Sequence, residues 1–292
     1  TQIDIHDGTI AILTSYEGIE ANQINVSGGT IDLTATDDGF NANGGSDSFG
    51  GRGGFGGPGG SSGNNSSSSS TDTEMPNLTI TGGDIYVKAS GDGLDSNGNI
   101  TVSGGVTVVD GPTNSSNGAV DAGTENGGVV TISDGTVFAW GASGMAETFG
   151  STSSQASFLC TLPATCAAGT QVTITDADGN ELFSHTVASS GNSLVFSSPD
   201  LTEGETYQFI VDDTVYELTL SGTSTTVRAL ADGTTTTGNT QGGMSGGGQG
   251  GGMPAADQGG GMSGGGQRGG MPAADQSDGM SGAGQDSDPD GN

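Results

Sequence analysis

The sequence predicts an all-β fold: a right-handed parallel β-helix of about 21–22 residues per coil, followed by a small antiparallel β module. Three observations lead there. A phrase of about twenty residues recurs five times, apolar and polar residues alternate within each copy, and the alternation changes character after about residue 155. A fixed period of this size describes stacked units whose strands pair with the next coil, rather than a globular centre.

The first copy runs Ile3-Asp4-Ile5-His6-Asp7-Gly8-Thr9-Ile10-Ala11-Ile12. It returns as Ile24-Asn25-Val26-Ser27-Gly28-Gly29-Thr30-Ile31-Asp32-Leu33 and as Leu78-Thr79-Ile80-Thr81-Gly82-Gly83-Asp84-Ile85-Tyr86-Val87, with further copies starting at Ile100 and Val130. In each, alternation marks a half-buried strand, a Gly-containing turn interrupts it, and a second strand follows. A third short piece, such as Gly39-Phe40-Asn41-Ala42-Asn43, completes a triangular coil.

Spacing supports that reading. Ile3 to Ile24 is 21 residues and Leu78 to Ile100 is 22. Ile24 to Leu78 is 54, which becomes 21 once the 33 residues of 44–76 are set aside as a looped-out insertion. Ile100 to Val130 is 30, which implies an extension of about eight residues within 110–128. The expected inward columns are Ile3/Ile24/Leu78/Ile100/Val130, Ile10/Ile31/Ile85/Val137 and Ile19/Phe40/Leu94/Val120/Met145. Asn22, Asn43 and Asn97 fall at one corner, where stacked amides can bond to one another. Right-handed winding is the rule for parallel crossovers.

Beyond the repeat, Phe158–Leu162, Val172–Thr175, Leu182–Val187, Ser193–Ser197, Tyr207–Val211 and Val215–Leu220 read as strands. Turn phrases separate some of them, notably Asp176-Ala177-Asp178-Gly179-Asn180 and Asp212-Asp213. This module would cover the open end of the helix, where unpaired strands invite aggregation. The expected domains are therefore 1–150 (the β-helix, with 44–76 as a disordered Gly/Ser insertion), 151–230 (the module) and 231–292 (a disordered Gly/Met/Gln-rich tail repeating every 18 residues). The low-complexity segments bury too little apolar surface to offset the entropy of ordering them.

Charge narrows the function. Against 34 Asp and Glu stand 4 Lys and Arg, a net charge of −30. Nucleic acid needs clustered Lys and Arg and is excluded as a partner, as are anionic membrane surfaces. No apolar run is long enough for membrane insertion. Residue 1 is Thr, which predicts a processed or excised piece with one or more coils upstream. Cys160 and Cys166 flank Pro163 and read either as a short-loop disulfide or as two thiols; signs of export favour the disulfide.

The third piece of each coil repeats an acid-Gly-apolar-acid phrase: Glu17-Gly18-Ile19-Glu20, Asp37-Asp38-Gly39-Phe40-Asn41 and Asp92-Gly93-Leu94-Asp95. The fourth copy keeps Asp121, and the fifth keeps neither acid. Stacked carboxylates about 5 Å apart repel by about 3 kcal/mol per pair at an effective dielectric near 20. Only Lys88 lies in the repeat to offset them. A hard dication with oxygen ligands fits better, and Ca²⁺ takes six to eight oxygens. Glu17, Glu20, Asp37, Asp38, Asn41, Asp92, Asp95 and Asp121 are the expected ligands; the alternative is a solvated acidic edge. Asp176–Gly179 and Asp286–Gly291 do not complete an EF-hand loop.

Counted from the Gly turn, Tyr86, Phe138 and Trp140 point outward, as stacking platforms for sugar rings. For Phe138 and Trp140 the alternative is packing beneath the module. His6 and His185 join no catalytic constellation, and a nucleophile with its base is missing, so the chain reads as non-enzymatic.

These phrases resemble a family of bacterial carbohydrate-binding proteins, calcium-containing parallel β-helices that bind cellulose and pectic polysaccharides. The resemblance rests on Ser27-Gly28-Gly29, Ser103-Gly104-Gly105, the phrase at 37–42, Asp92-Gly93-Leu94-Asp95-Ser96-Asn97, Asp110-Gly111-Pro112-Thr113-Asn114 and Asn117-Gly118-Ala119-Val120-Asp121. It extends to Ser197-Ser198-Pro199-Asp200-Leu201. It implies calcium at the eight acidic-phrase residues, a plant-type or other extracellular polysaccharide as partner, and a place outside the cell or at its surface. A structural surface protein or adhesin with purely stabilising calcium is the rival expectation; a pectin-active lyase or hydrolase is a second.

Overall fold

The computed structural model describes residues 1–43, 74–124 and 127–237, all within one compact unit, Thr1–Met244. The Gly/Ser stretch to residue 73 and the tail from 238 lie outside the described residues. The fold is all-β, with no α-helix among the described residues.

Ten strands come from the repeat: β1 (Gln2–Ile5), β2 (Thr9–Ser15), β3 (Ile19–Glu20), β4 (Gln23–Ala35), β5 (Phe40–Ala42), β6 (Asn77–Ala89), β7 (Leu94–Ser96), β8 (Asn99–Asp110), β9 (Val120–Ala122) and β10 (Val130–Gly141). The long strands form one sheet in the order β1-β4-β6-β8-β10, with β2 beside β4, and the short ones a second, β3-β5-β7-β9. All these pairings are parallel. Ile3, Ile24, Leu78, Ile100 and Val130 are successive register partners, as are Ile10, Ile31, Ile85, Thr107 and Val137. Ile19, Phe40, Leu94 and Val120 make the third column, but Met145 is exposed and does not continue it. The fifth copy has no short strand after β10 to hold Met145 inward.

The Gly-Gly turns of these copies differ from expectation. They bend a continuous strand rather than ending it: β4, β6 and β8 run through them, with the register slipping at the glycines. Gly29 has φ of 91°, open to glycine at little cost, and this absorbs the bend while the flanking residues keep their ladder bonds. Residues 74–76, expected in the insertion, also belong to the coil. The Met75 carbonyl accepts from Gln23 Nε2 at 2.8 Å, and the Pro76 carbonyl from the Asn99 amide at 3.0 Å.

The remaining strands are β11 (Ser157–Cys166), β12 (Gln171–Asp176), β13 (Glu181–Thr186), β14 (Gly191–Ser197), β15 (Thr206–Val211), β16 (Thr214–Thr219), β17 (Ser224–Ala229) and β18 (Thr235–Thr237). Only β13-β12-β15-β16 form a sheet of their own, antiparallel throughout. The other four extend the repeat's long sheet in the order β10-β14-β11-β17-β18, so that sheet runs on past residue 150. β14 pairs antiparallel with β10, Phe138 facing Phe196 in the register and Trp140 facing Leu194. This pairing satisfies the edge of the last coil, which would otherwise present free N–H and C=O groups.

Two apolar clusters follow. One fills the repeat with Ile24, Leu33, Phe40, Leu78, Ile80 and Leu94 among its buried members. The other lies around Phe138, Trp140, Phe158, Phe196 and Phe209. Each fully buried Leu, Ile or Phe contributes about 1.5–3 kcal/mol, so regular stacking of one large residue per coil stabilises the whole column.

Candidate metal centre

The glycine in each acidic phrase explains how the acids come together. A Cβ at Gly39 would overlap the Gly93 carbonyl oxygen and the Val87 side chain; one at Gly18 would overlap the Gly39 carbonyl, and one at Gly93 the Ala119 carbonyl. Only glycine lets successive coils approach this closely at that corner. The short strands then lock the register: Glu20, Asn41, Asp95 and Asp121 are successive partners. The Gly18 amide donates to the Asp38 carbonyl and the Gly39 amide to the Asp92 carbonyl, which sets Glu17, Asp38 and Asp92 in a second column beside the first.

The two columns converge. Carboxylate oxygens of Asp92, Asp95 and Asp121 all lie within 4.8 Å of one another. The Asp92 amide donates to Asp38 Oδ1 at 2.7 Å, and the Gly118 amide to Asp92 Oδ1 at 2.5 Å. Asn41 Nδ2 donates to Asp38 Oδ2 at 3.3 Å. Asn41 is only 7% exposed, yet its Oδ1 has no hydrogen-bond partner, and neither has the buried Glu17 Oε2. Such orphaned acceptors are costly away from water unless something positive meets them.

Electrostatics point the same way. Burial first, then the Asp38, Asp92, Asp121 and Glu17 charges, push the Asp95 carboxyl up to about 8. Asp92 rises to about 7 and Asp38 to about 6, both chiefly through burial, with backbone amides pulling the other way. Glu17 rises to about 7 through burial and the Asp38 charge. Among the described residues the ion pair is His185–Asp110, away from this corner. The donor set is oxygen only (carboxylates and one amide oxygen), which matches a hard cation such as Ca²⁺ and disfavours softer metals.

Glu20 and Asp37 sit at the margin. Glu20 is exposed and its Oε1 accepts from Asn43 Nδ2 at 2.9 Å. Asp37 accepts a hydrogen bond from the Tyr16 hydroxyl, which it pushes above the usual tyrosine range. At the expected corner Asn97 Nδ2 donates to the Asn43 backbone carbonyl at 3.3 Å and Asn22 Nδ2 to the Glu74 backbone carbonyl at 3.4 Å, in place of amide-to-amide bonds. A side-chain amide ladder that went unread in the sequence runs elsewhere: Asn99 Nδ2 donates to Asn77 Oδ1 at 2.7 Å and Asn77 Nδ2 to Gln23 Oε1 at 3.0 Å. Its signal was the amide residue that opens the first strand of four copies, Gln2, Gln23, Asn77 and Asn99.

The expected sugar platform is corrected in two of three positions. Phe138 and Trp140 are both 0% exposed. Phe183 of β13 stacks on Phe138 with centroids 5.2 Å apart and Trp140 Nε1 donates to the Ser189 carbonyl at 3.0 Å, so both pack beneath the module, the alternative the sequence left open. Tyr86 is partly exposed, but its hydroxyl donates to Asp110 Oδ2 at 2.9 Å. The same Oδ2 lies 3.0 Å from His185 Nε2. Asp110 is fully buried, and this Tyr86–Asp110–His185 cluster ties β6 and β8 of the long sheet to β13 of the separate one. Sequence reading gave Asp110 no role, because His185 is 75 residues away and only the fold unites them.

Two further outcomes concern reactive side chains. Cys160 and Cys166 are free thiols, contrary to the disulfide expected; Cys160 is buried among the apolar residues of the second cluster. His6 Nδ1 lies 2.8 Å from Ser27 Oγ, one coil apart. Ser27 Oγ is also within 3.3 Å of the Ile5 carbonyl, and among the described residues no carboxylate hydrogen-bonds to His6, so the pair lacks the orienting group of a nucleophile–base system.

A family model described as "Carbohydrate-binding domain-containing protein" matches residues 1–115. The match spans every acidic-phrase residue except Asp121, together with Tyr86 and Asp110. No curated protein and no solved structure matches the chain. No helix among the described residues is long and apolar enough to cross a membrane.

Proposed function

We propose that this chain is a non-catalytic, calcium-dependent polysaccharide-binding protein that works outside the cell or at its surface. In this reading the repeat is a right-handed parallel β-helix whose coils calcium clamps at the acidic corner. Asp92, Asp95 and Asp121 would hold the ion, with Asp38, Asn41 and Glu17 beside them and Glu20 and Asp37 at the rim. Calcium would offset the mutual repulsion of the acidic corner. Where a coordination position stays open to solvent, an acidic sugar's carboxylate could share the ion. The partner would be a cellulosic or pectic polysaccharide, with Tyr86 as the remaining aromatic contact.

The observation that carries this reading is the oxygen-only cluster of Asp92, Asp95 and Asp121 with two orphaned buried acceptors, Asn41 Oδ1 and Glu17 Oε2, in the neighbouring acidic phrases. The carbohydrate half of it draws on the family match over residues 1–115. The depth of Asn41 favours a second reading in part: calcium that only stabilises a structural surface protein. Retention on insoluble cellulose and on polygalacturonate, with and without a chelator, separates the two. Chelator-sensitive retention is the expected result; a protein that binds calcium but retains on neither polymer is the structural one. Release of reducing or unsaturated sugar ends would instead establish an enzyme.

A further inference from the structure

A cleft of about 400 Å³ opens far from the acidic corner in sequence, between the end of β10 and strands β11, β14 and β17. Its lining includes Arg228, Asn192, Ser143 and Thr161, with Leu162 and Pro163 as apolar members. Arg228 is the one arginine among the described residues. It is exposed on β17 and forms no ion pair with any described residue. The chain carries a net charge of −30, yet no acid lines this cleft. The Asn192 side chain is already oriented: its Oδ1 accepts from the Ser143 amide at 2.9 Å, which fixes the carboxamide plane. Its Nδ2 has no acceptor among the described residues and remains free to donate.

We propose that this cleft is an anion-selective sugar subsite, and that it takes the carboxylate of a uronic acid residue. The proposal rests on the polysaccharide-binding reading and adds to it a site outside the acidic corner, independent of any metal. A guanidinium matches a carboxylate in plane and charge and can donate two parallel hydrogen bonds. The Asn192 amide and the Ser143 and Thr161 hydroxyls suit ring hydroxyls. Leu162 and Pro163 suit the apolar C–H face of a sugar ring, the usual division of labour in a small-molecule site. A neutral sugar would leave Arg228 without a partner and gain little from it.

The test uses the full chain, with trigalacturonate and the neutral cellotriose as probes, by calorimetry in excess chelator so that no metal bridge contributes. Trigalacturonate is expected to bind, more weakly at higher salt. Arg228→Gln should weaken it by about tenfold, as loss of a charge-assisted pair implies, and Arg228→Lys by less. Cellotriose binding and the melting temperature should be unchanged in both variants, which separates a lost contact from a lost fold. Trigalacturonate binding that is absent from the wild type in chelator, or unaltered by Arg228→Gln, overturns the subsite. Polymer retention in calcium that survives either of those outcomes leaves the broader function standing. Conversely, Arg228-dependent trigalacturonate binding without polymer retention upholds the subsite and removes the polysaccharide reading.

Discussion

Asn41 and Asp95 occupy one column of the acidic corner, and their behaviour separates a metal site from a merely acidic edge. In the metal-free protein Asp95 is a half-buried carboxyl among like charges, raised to about 8. Replacing it with Asn removes repulsion and, on the proposed clamp, one ligand together. Asp95→Asn should therefore raise the melting temperature in chelator yet lower calcium affinity by tenfold or more, since ligand charge sets affinity at such sites. A thermal melt with and without calcium reads both signs; a variant that is destabilised in both conditions would show that Asp95 is simply structural. The thiols give an independent check. Burial pushes Cys160 up to about 12 and also raises Cys166. Iodoacetamide at neutral pH should leave Cys160 unmodified in the folded chain and label the partly exposed Cys166 slowly. At this scale the recurrence of acids was legible from sequence. For Phe138 and Trp140 two readings stayed open, because alternation along β10 says which face a residue takes and not that Phe183 of β13, more than forty positions later, will pack on that face.

Elements are held in register by close approach at the glycines and by a few cross-sheet ties. A methyl group at Gly39 would meet the backbone of the next coil, which cannot yield as a flexible side chain can. Gly39→Ala should cost about 2–3 kcal/mol in chemical denaturation, within the range for overpacking a core. The Tyr86–Asp110–His185 tie links β13 to the repeat across two sheets. Asp110→Ala would leave the Tyr86 hydroxyl and the His185 ring without their shared acceptor, for a loss of about 3 kcal/mol. A proteolysis time course should then show earlier cleavage around β12 and β13 than elsewhere. Sequence periodicity placed the first strands of each coil in their true register, because a repeat with one large apolar residue per strand admits few alternatives. It missed β17 and β18. Ser224-Thr225-Thr226-Val227 has weak alternation, and its strand character comes from pairing with β11, which local pattern cannot reveal. It also broke β4, β6 and β8 at glycines that in fact only bend them.

Across the whole molecule, charge links folding to pH and to metal. Folded-state values near 7, 6, 7 and 8 for Glu17, Asp38, Asp92 and Asp95 all lie above the ordinary carboxylate range. The folded chain therefore holds more protons than the unfolded chain between about pH 4 and pH 8, and raising pH through that window destabilises it. Metal-free protein should melt progressively lower from pH 4.5 to pH 8, and calcium should flatten that slope. Calcium binding near pH 7 should also release protons, since the ligands must ionise to receive the ion. A flat melting profile in chelator would mean that the acidic corner is well solvated.

The proposed clamp is tested most directly by equilibrium dialysis of calcium against the full, metal-free chain at pH 7, with Asp92→Asn/Asp121→Asn as the control. The account predicts saturable binding by the wild type and its loss in the double variant. No saturable binding at millimolar calcium, or equal binding by both proteins, would contradict it.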